Sequence, residues 1–195
     1  VLVSNDRSST PTTFMAAQTS PDGQYIVHVQ RVGPGGGEIW ALPTSGDRKP
    51  FPVVQPQSSQ VRIIQSRLSP DGRWLAYSST ESGPEEIYIT HFPSGKGKWQ
   101  VSQGGATFPA WRGDSKEIYF VGADGDFHAA VVGTKNDELE LEPVRTLFPT
   151  GNYTAPNGSP YDVAPDGQRF MFAMYPENKT APLVLVSNWT GDLKK

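Results

Sequence analysis

The chain has no cysteine among its 195 residues. Disulfides, thiolate metal sites and cysteine nucleophiles are excluded together, while the redox compartment stays open. No apolar run approaches the ~20 residues that span a bilayer as a helix, and Val1-Leu2-Val3 lacks the charged-then-apolar opening of a signal peptide. An initiating methionine is missing too, so the sequence reads as a processed chain or a segment of something longer. Charge of one sign is scarce: 17 Lys and Arg against 20 Asp and Glu give a net −3 without a basic cluster. That leaves no electrostatic footprint for nucleic acid.

Glycine and proline are abundant, with 20 and 18 residues. That density breaks helices but suits many short strands joined by tight turns, so the expected class is all-β. A compact fold of this length buries roughly 70% of its unfolded surface, enough for a real core.

A repeat organises the whole chain. Ser20-Pro21-Asp22-Gly23, Ser69-Pro70-Asp71-Gly72 and Ala164-Pro165-Asp166-Gly167 recur, with a degenerate Arg112-Gly113-Asp114-Ser115 between the last two. The aspartates at 22, 71, 114 and 166 are spaced by 49, 43 and 52 residues, a period that points to propeller blades or helical arrays. Proline pre-sets φ for a type I turn and glycine accepts the left-handed conformation that closes a bulged hairpin, so each motif is expected to join two antiparallel strands. In the third unit Ser115 stands where glycine is wanted, which predicts strain or a different turn.

The second unit shows the plan: strands over Arg62–Leu68, Arg73–Ser79, Glu86–Phe92 and Lys98–Val101. Four antiparallel strands per unit make a propeller blade. The expectation is a β-propeller of four blades, approximately 14–57, 58–105, 106–151 and 152–195. In the first blade Tyr25–Val29 and Glu38–Leu42 are middle strands, and in the third Glu117–Val121 and Phe127–Val132. The fourth has Arg169–Met174 and Leu183–Val186 and then only a polar tail, so its outer strand is missing. Val1–Asn5 is a candidate to complete it and close a four-bladed ring. The same five letters recur at Val184–Asn188, which also allows Val1–Asn5 to be a third strand of a preceding blade. A section of a larger propeller and strand exchange between copies therefore remain open.

At these residues the chain resembles the TolB-like β-propeller repeat, a Ser-Pro-Asp-Gly turn followed by an aromatic or aliphatic strand and an Ile-Tyr strand. The last two units look closer to the C-terminal propeller of certain bacterial, notably acidobacterial, serine/threonine protein kinases. The matching residues are Gly104-Gly105 to Pro109-Ala110-Trp111-Arg112, Glu117-Ile118-Tyr119-Phe120, Tyr161 to Phe170, and Asn188-Trp189-Thr190-Gly191-Asp192. The resemblance implies a sensor or protein-binding module in an extracytoplasmic (periplasmic or secreted) setting. No kinase motif is present in this chain, so any catalytic domain would lie upstream.

Candidate chemistry is sparse. Gly33-Pro34-Gly35-Gly36-Gly37 lacks the Gly-Lys-Ser/Thr of a phosphate loop and reads as a hairpin loop, as does Ser94–Lys98. His28, His91 and His128 fall in strands of different blades without the spacing of a metal pair, and are assigned packing or surface roles. Asp124-Gly125-Asp126, with Asp114, offers oxygen ligands but lacks the spacing of a calcium loop. Trp40, Trp74, Trp99, Trp111 and Trp189 read as packing between blades. Trp111-Arg112, near an inner-strand end, is also a candidate rim contact. Asn152, Asn157, Asn178 and Asn188 open Asn-x-Ser/Thr sequons, candidates for glycosylation.

The expectation is a non-catalytic scaffold that binds a protein or small ligand, with no metal, cofactor, nucleic acid or membrane span. Its marked residues are the turn positions Pro21, Asp22, Gly23, Pro70, Asp71, Gly72, Asp114, Pro165, Asp166 and Gly167. The alternatives are a self-associating subunit that exchanges its N-terminal strand, and the propeller half of a prolyl-oligopeptidase-like peptidase.

Overall fold

The structure, a computed structural model, describes residues 13–32, 36–151, 153, 159–174 and 183–187. Among them every regular element is a strand, and no helix is long and apolar enough to cross a membrane.

The repeated turns act as local clamps. Gly23 N–H donates to Ser20 O at 2.8 Å and Ser20 N–H to Tyr25 O at 2.9 Å. Asp22 Oδ1 accepts from Ser20 Oγ at 2.6 Å and from Gln24 N–H at 3.0 Å. Gly72–Ser69, Ser115–Arg112 and Gly167–Ala164 repeat the closing bond at 2.9, 2.9 and 2.8 Å. The last turn residue is left-handed in all four: φ is 71° at Gly23, 72° at Gly72, 63° at Ser115 and 68° at Gly167. The degenerate third turn therefore keeps the geometry and places a serine where φ > 0 costs about 1–2 kcal/mol relative to glycine.

These turns open four antiparallel up-and-down sheets, consistent with propeller blades. The first holds β1 (Thr13–Thr19), β2 (Tyr25–Val32), β3 (Gly36–Pro43) and β4 (Phe51–Val54). The second holds β5 (Ile63–Leu68), β6 (Trp74–Ser79), β7 (Glu86–His91) and the two-residue β8 (Trp99–Gln100). The third holds β9 (Ala106–Trp111), β10 (Glu117–Gly122), β11 (Asp126–Lys135), β12 (Glu138–Leu141) and β13 (Arg145–Pro149). The fourth holds β14 (Tyr161–Val163), β15 (Arg169–Ala173) and β16 (Leu183–Ser187), so three of its strands lie among the described residues. Val1–Asn5, the expected closing or exchanged strand, lies outside them, as does Trp189.

Two details differ from the sequence reading. Gly36 and Gly37, expected in a loop, belong to β3, where a side chain at 37 would collide with the Ile63 carbonyl of the next sheet. The third sheet has a longer middle strand and a divided outer edge, with β12 and β13 both pairing β11 on either side of Glu142-Pro143-Val144. Proline cannot donate to the ladder, so the edge breaks there.

The sheets stack face to face. Val27, Ile39, Leu75 and Tyr77 share one core between the first and second, and Ile87, Ile89, Ile118 and Phe120 another between the second and third. Tyr119, Phe127, Phe170 and Phe172 pack between the third and fourth. This explains why β6 is buried at every position, although antiparallel strands usually alternate. Ile26 and Met171 point away from these cores on the outward faces of the first and fourth sheets, and both are exposed.

Side chain to backbone bonds fix the first strands against one another. Gln18 on β1 donates from Nε2 to Ser66 O at 3.1 Å and accepts from Leu68 N–H at 2.9 Å. Gln65 on β5 accepts from Phe108 N–H at 2.8 Å, and Tyr161 on β14 donates to Phe108 O at 2.5 Å. In each up-and-down sheet the repeated turn lies at one end, and the β6–β7 and β10–β11 loops with the Gln100–Gly105 linker lie at the other.

Candidate functional site

The sequence-marked turns form a chain along one end. The Gly72 position faces Pro21, Asp71 N–H donates to Ser115 Oγ at 3.0 Å, and Gly113 N–H donates to Pro165 O at 3.0 Å. Asp22, Asp71 and Asp166 each accept from the backbone N–H two residues on, a structural task. The Ser20 hydroxyl, then the Gln24 N–H, hold the Asp22 carboxyl below the usual range.

Arg112 takes the place of the turn serine and grips Asp114 with both arms, at 2.7 and 2.9 Å. Its Nη1 also donates to Glu117 at 3.0 Å. Glu117 is 1% exposed and accepts from Tyr119 Oη at 2.7 Å and from Arg145. Arg112 therefore belongs to a charge network that sustains a buried carboxylate. Trp111 is 8% exposed, and its indole N–H donates to Arg67 O at 3.1 Å, across the second and third sheets. The sequon asparagines 152, 157, 178 and 188 lie outside the described residues.

The opposite end holds an open cleft of about 640 Å³ between the second and third sheets. The Gln100–Gly105 linker forms one wall, Gly122-Ala123-Asp124 and Leu141–Val144 the others, and Phe120 and His128 the floor. His128 is 9% exposed and stacks on Phe120, centroids 5.5 Å apart. Its Nε2 lies 3.0 and 3.1 Å from the two Asp124 oxygens, and its Nδ1 lies 3.2 Å from Thr146 Oγ1. A carboxylate only accepts, so Nε2 carries a proton and donates it to Asp124, while Nδ1 and the Thr146 hydroxyl are hydrogen-bonded to each other. His128, then the Asp126 N–H at 3.0 Å, hold the Asp124 carboxyl below the usual range.

The same cleft exists between the first and second sheets in a smaller form, about 170 Å³. Counting from each turn, Tyr77 is equivalent to Phe120 and Tyr88 to His128, and each pair is a cross-strand stack at nearly the same separation. Tyr88 Oη donates to Ser82 Oγ at 2.8 Å, as His128 donates to Asp124 in its own hairpin loop. The smaller cleft is crossed by Lys98 Nζ, bonded to Glu81 at 2.6 Å. In the larger one a Cβ at Gly122 would lie 2.6 Å from His128 Nε2 and touch the Asp124 carboxylate, so a side chain there would displace that pair.

Sequence alone gives His128 a packing or surface role and Asp124 a place in a turn, as separate features. The structure joins them, and places Asp114 at the far end of β10 from Asp124, too far to share an ion. No group of three potential metal-ligating side chains occurs among the described residues. The signal that identifies the pair is the i, i+4 spacing across a three-residue hairpin loop, seen only once His128 is aligned with Tyr88.

No protein-family model matches the chain, and no curated protein sequence is similar to it. Solved structures do match in fold. TolB from Acinetobacter baumannii has a TM-score of 0.65 at 20% identity, over 89% of this chain and 40% of that one. Oligogalacturonate lyase in complex with manganese has a TM-score of 0.65 at 15% identity, over 90% and 48%. Puromycin hydrolase, solved as a mutant complex, has a TM-score of 0.62 at 16% identity, over 92% and 28%. The chain spans less than half the length of each, and at these identities the likeness is one of fold alone: it is a distant structural match to TolB-like β-propeller domains.

Proposed function

We propose that this chain is the recognition part of a β-propeller protein, a non-catalytic scaffold whose binding site is the cleft between the second and third sheets. The observation that carries this is the contrast between two equivalent clefts. Where the Lys98–Glu81 pair spans the first, leaving about 170 Å³, the second, lined by His128, Gly122 and Ala123, stays open at about 640 Å³. Loss of filling at one position of a repeat marks a site where packing yields to another task. The reading extends to a sensory module of a bacterial signalling protein outside the cytoplasm, supported by the resemblance of the last two units.

Random heptapeptides selected on the chain and counter-selected on Ala123→Trp test it. Ala123 is exposed on the cleft wall, and tryptophan there would plug the opening. The expected result is a family of peptides that loses at least tenfold in affinity with the variant while its unfolding midpoint is unchanged. Peptides that bind both proteins equally, or none at all, would overturn the reading.

The exposed Ile26 and Met171 faces favour a second reading, in which the four sheets are a section of a larger propeller or associate with a copy. Light scattering over a wide concentration range tests association. A concentration-independent monomer mass would remove it.

A further inference from the structure

Resting on the cleft reading above, we infer that the occupant of the cleft between the second and third sheets is a basic side chain, lysine or arginine, of a partner polypeptide. The chain places a side chain of this kind in its own smaller cleft. There Lys98 reaches in from the outer strand, its ammonium 2.6 Å from the Glu81 carboxylate and 5.8 Å from the centre of the Tyr88 ring. An ammonium held by a hairpin-loop carboxylate over the middle-strand aromatic thus completes that cleft.

Register then identifies what stands at the lysine position next door. Gln100 pairs with Tyr88 and Thr146 pairs with His128, so Lys98, two residues before Gln100, is equivalent to Val144, two residues before Thr146. The third sheet therefore keeps a carboxylate in the hairpin loop, Asp124, and replaces the internal cation with a valine that is 41% exposed. The Asp124 side chain is 55% exposed, and its Oδ2 has His128 as its one partner among the described residues. Glu142 adds a second carboxylate to the lining, and among the described residues no lysine or arginine lines the cleft.

The walls suit the rest of such a side chain. Val101, Leu141, Pro143 and Val144 present apolar surface along which an aliphatic stem can lie, while its charged head meets Asp124. Backbone glycines at 104, 105 and 122 let a main chain approach closely. Charge complementarity excludes an acidic occupant, which would face two carboxylates without a cation.

The test uses the selected peptides. Each cleft-dependent family is expected to carry one invariant lysine or arginine, whose replacement by norleucine or citrulline weakens binding at least tenfold by fluorescence anisotropy. Val144→Lys, which copies Lys98, should occupy the cleft from within and weaken the same peptides at least tenfold with the unfolding midpoint retained. Asp124→Asn should weaken them as well, and Glu142→Gln, on an exposed segment, provides the carboxylate variant least able to disturb folding. Cleft-dependent peptides that need no basic residue, or that bind Val144→Lys unchanged, would overturn this inference and leave the binding cleft intact. Absence of any cleft-dependent peptide would overturn both.

Discussion

Ser115 Oγ accepts a hydrogen bond from the Asp71 N–H at 3.0 Å, so a residue held at φ 63° in one turn is tied to the turn of the preceding sheet. The strain and the tie oppose one another. Ser115→Ala keeps the strain and loses the bond, and is expected to cost about 0.5–1.5 kcal/mol in urea unfolding. Ser115→Gly loses the bond but relieves about 1 kcal/mol of left-handed strain, so its midpoint should fall near wild type. Equal destabilisation by both variants would deny the strain.

Gly23 and Gly167 share a backbone conformation but differ in their surroundings. A Cβ on Gly23 meets nothing within 4 Å, whereas one on Gly167 would lie 2.5 Å from Tyr119 Oη and 2.6 Å from Arg112 Cδ. Gly23→Ala should cost about 1 kcal/mol from φ alone. Gly167→Ala adds overpacking of about 1–3 kcal/mol. Thermal unfolding of both variants reads the difference directly.

Glu117 is buried between two arginines and a tyrosine. Glu117→Gln removes the charge that the Arg112 and Arg145 bonds depend on and is expected to cost about 1.5–3 kcal/mol. Arg145→Ala leaves the Arg112 bond in place and removes a guanidinium that is 43% exposed, so it should cost less, under about 1 kcal/mol after solvent screening. Denaturant midpoints that reverse this order would move the centre of the network away from Glu117.

Much of this network was out of reach from sequence, whereas the turns were legible. A Ser-Pro-Asp-Gly turn is closed by bonds spanning at most five residues, from Ser20 to Tyr25, so its residues announce it. The outer edge of the third sheet was not, because Pro143 interrupts it and β12 and β13 read as separate fragments. Nor was the cleft, which depends on His128 standing where Tyr88 stands in the neighbouring unit. That equivalence comes from cross-strand register, and the hairpin loops before the two residues differ in length. Trp111 illustrates the opposite limit: an aromatic beside an arginine suggests a contact surface, yet its neighbour across the gap is the Arg67 carbonyl.

Acid titration tests the Arg112–Asp114 pair. The guanidinium, first by its hydrogen bonds, holds the Asp114 carboxyl below the usual carboxylate range. A lowered folded pKa stabilises above the unfolded value of about 4, and the contribution is lost as pH falls through the lower folded value. Arginine stays charged throughout, so only the acid titrates. The stability difference between wild type and Asp114→Asn should be constant from pH 7 to about pH 5 and shrink below pH 4. A difference that does not change down to pH 2.5 would separate the pair from stability.

The ties between first strands have a consequence for assembly order. Gln18 reaches Ser66 and Leu68, Gln65 reaches Phe108, and Tyr161 reaches the other side of Phe108. No two of these junctions use the same pair of residues, so the four repeats, alike in their turns, are not interchangeable at their seams. A sheet docked against the wrong neighbour would bury a glutamine or tyrosine without its matching backbone group, an error costing about 1–3 kcal/mol each time. Tandem repeats are prone to shuffled docking. Here each seam carries its own address, and the order of the units in space follows their order along the chain.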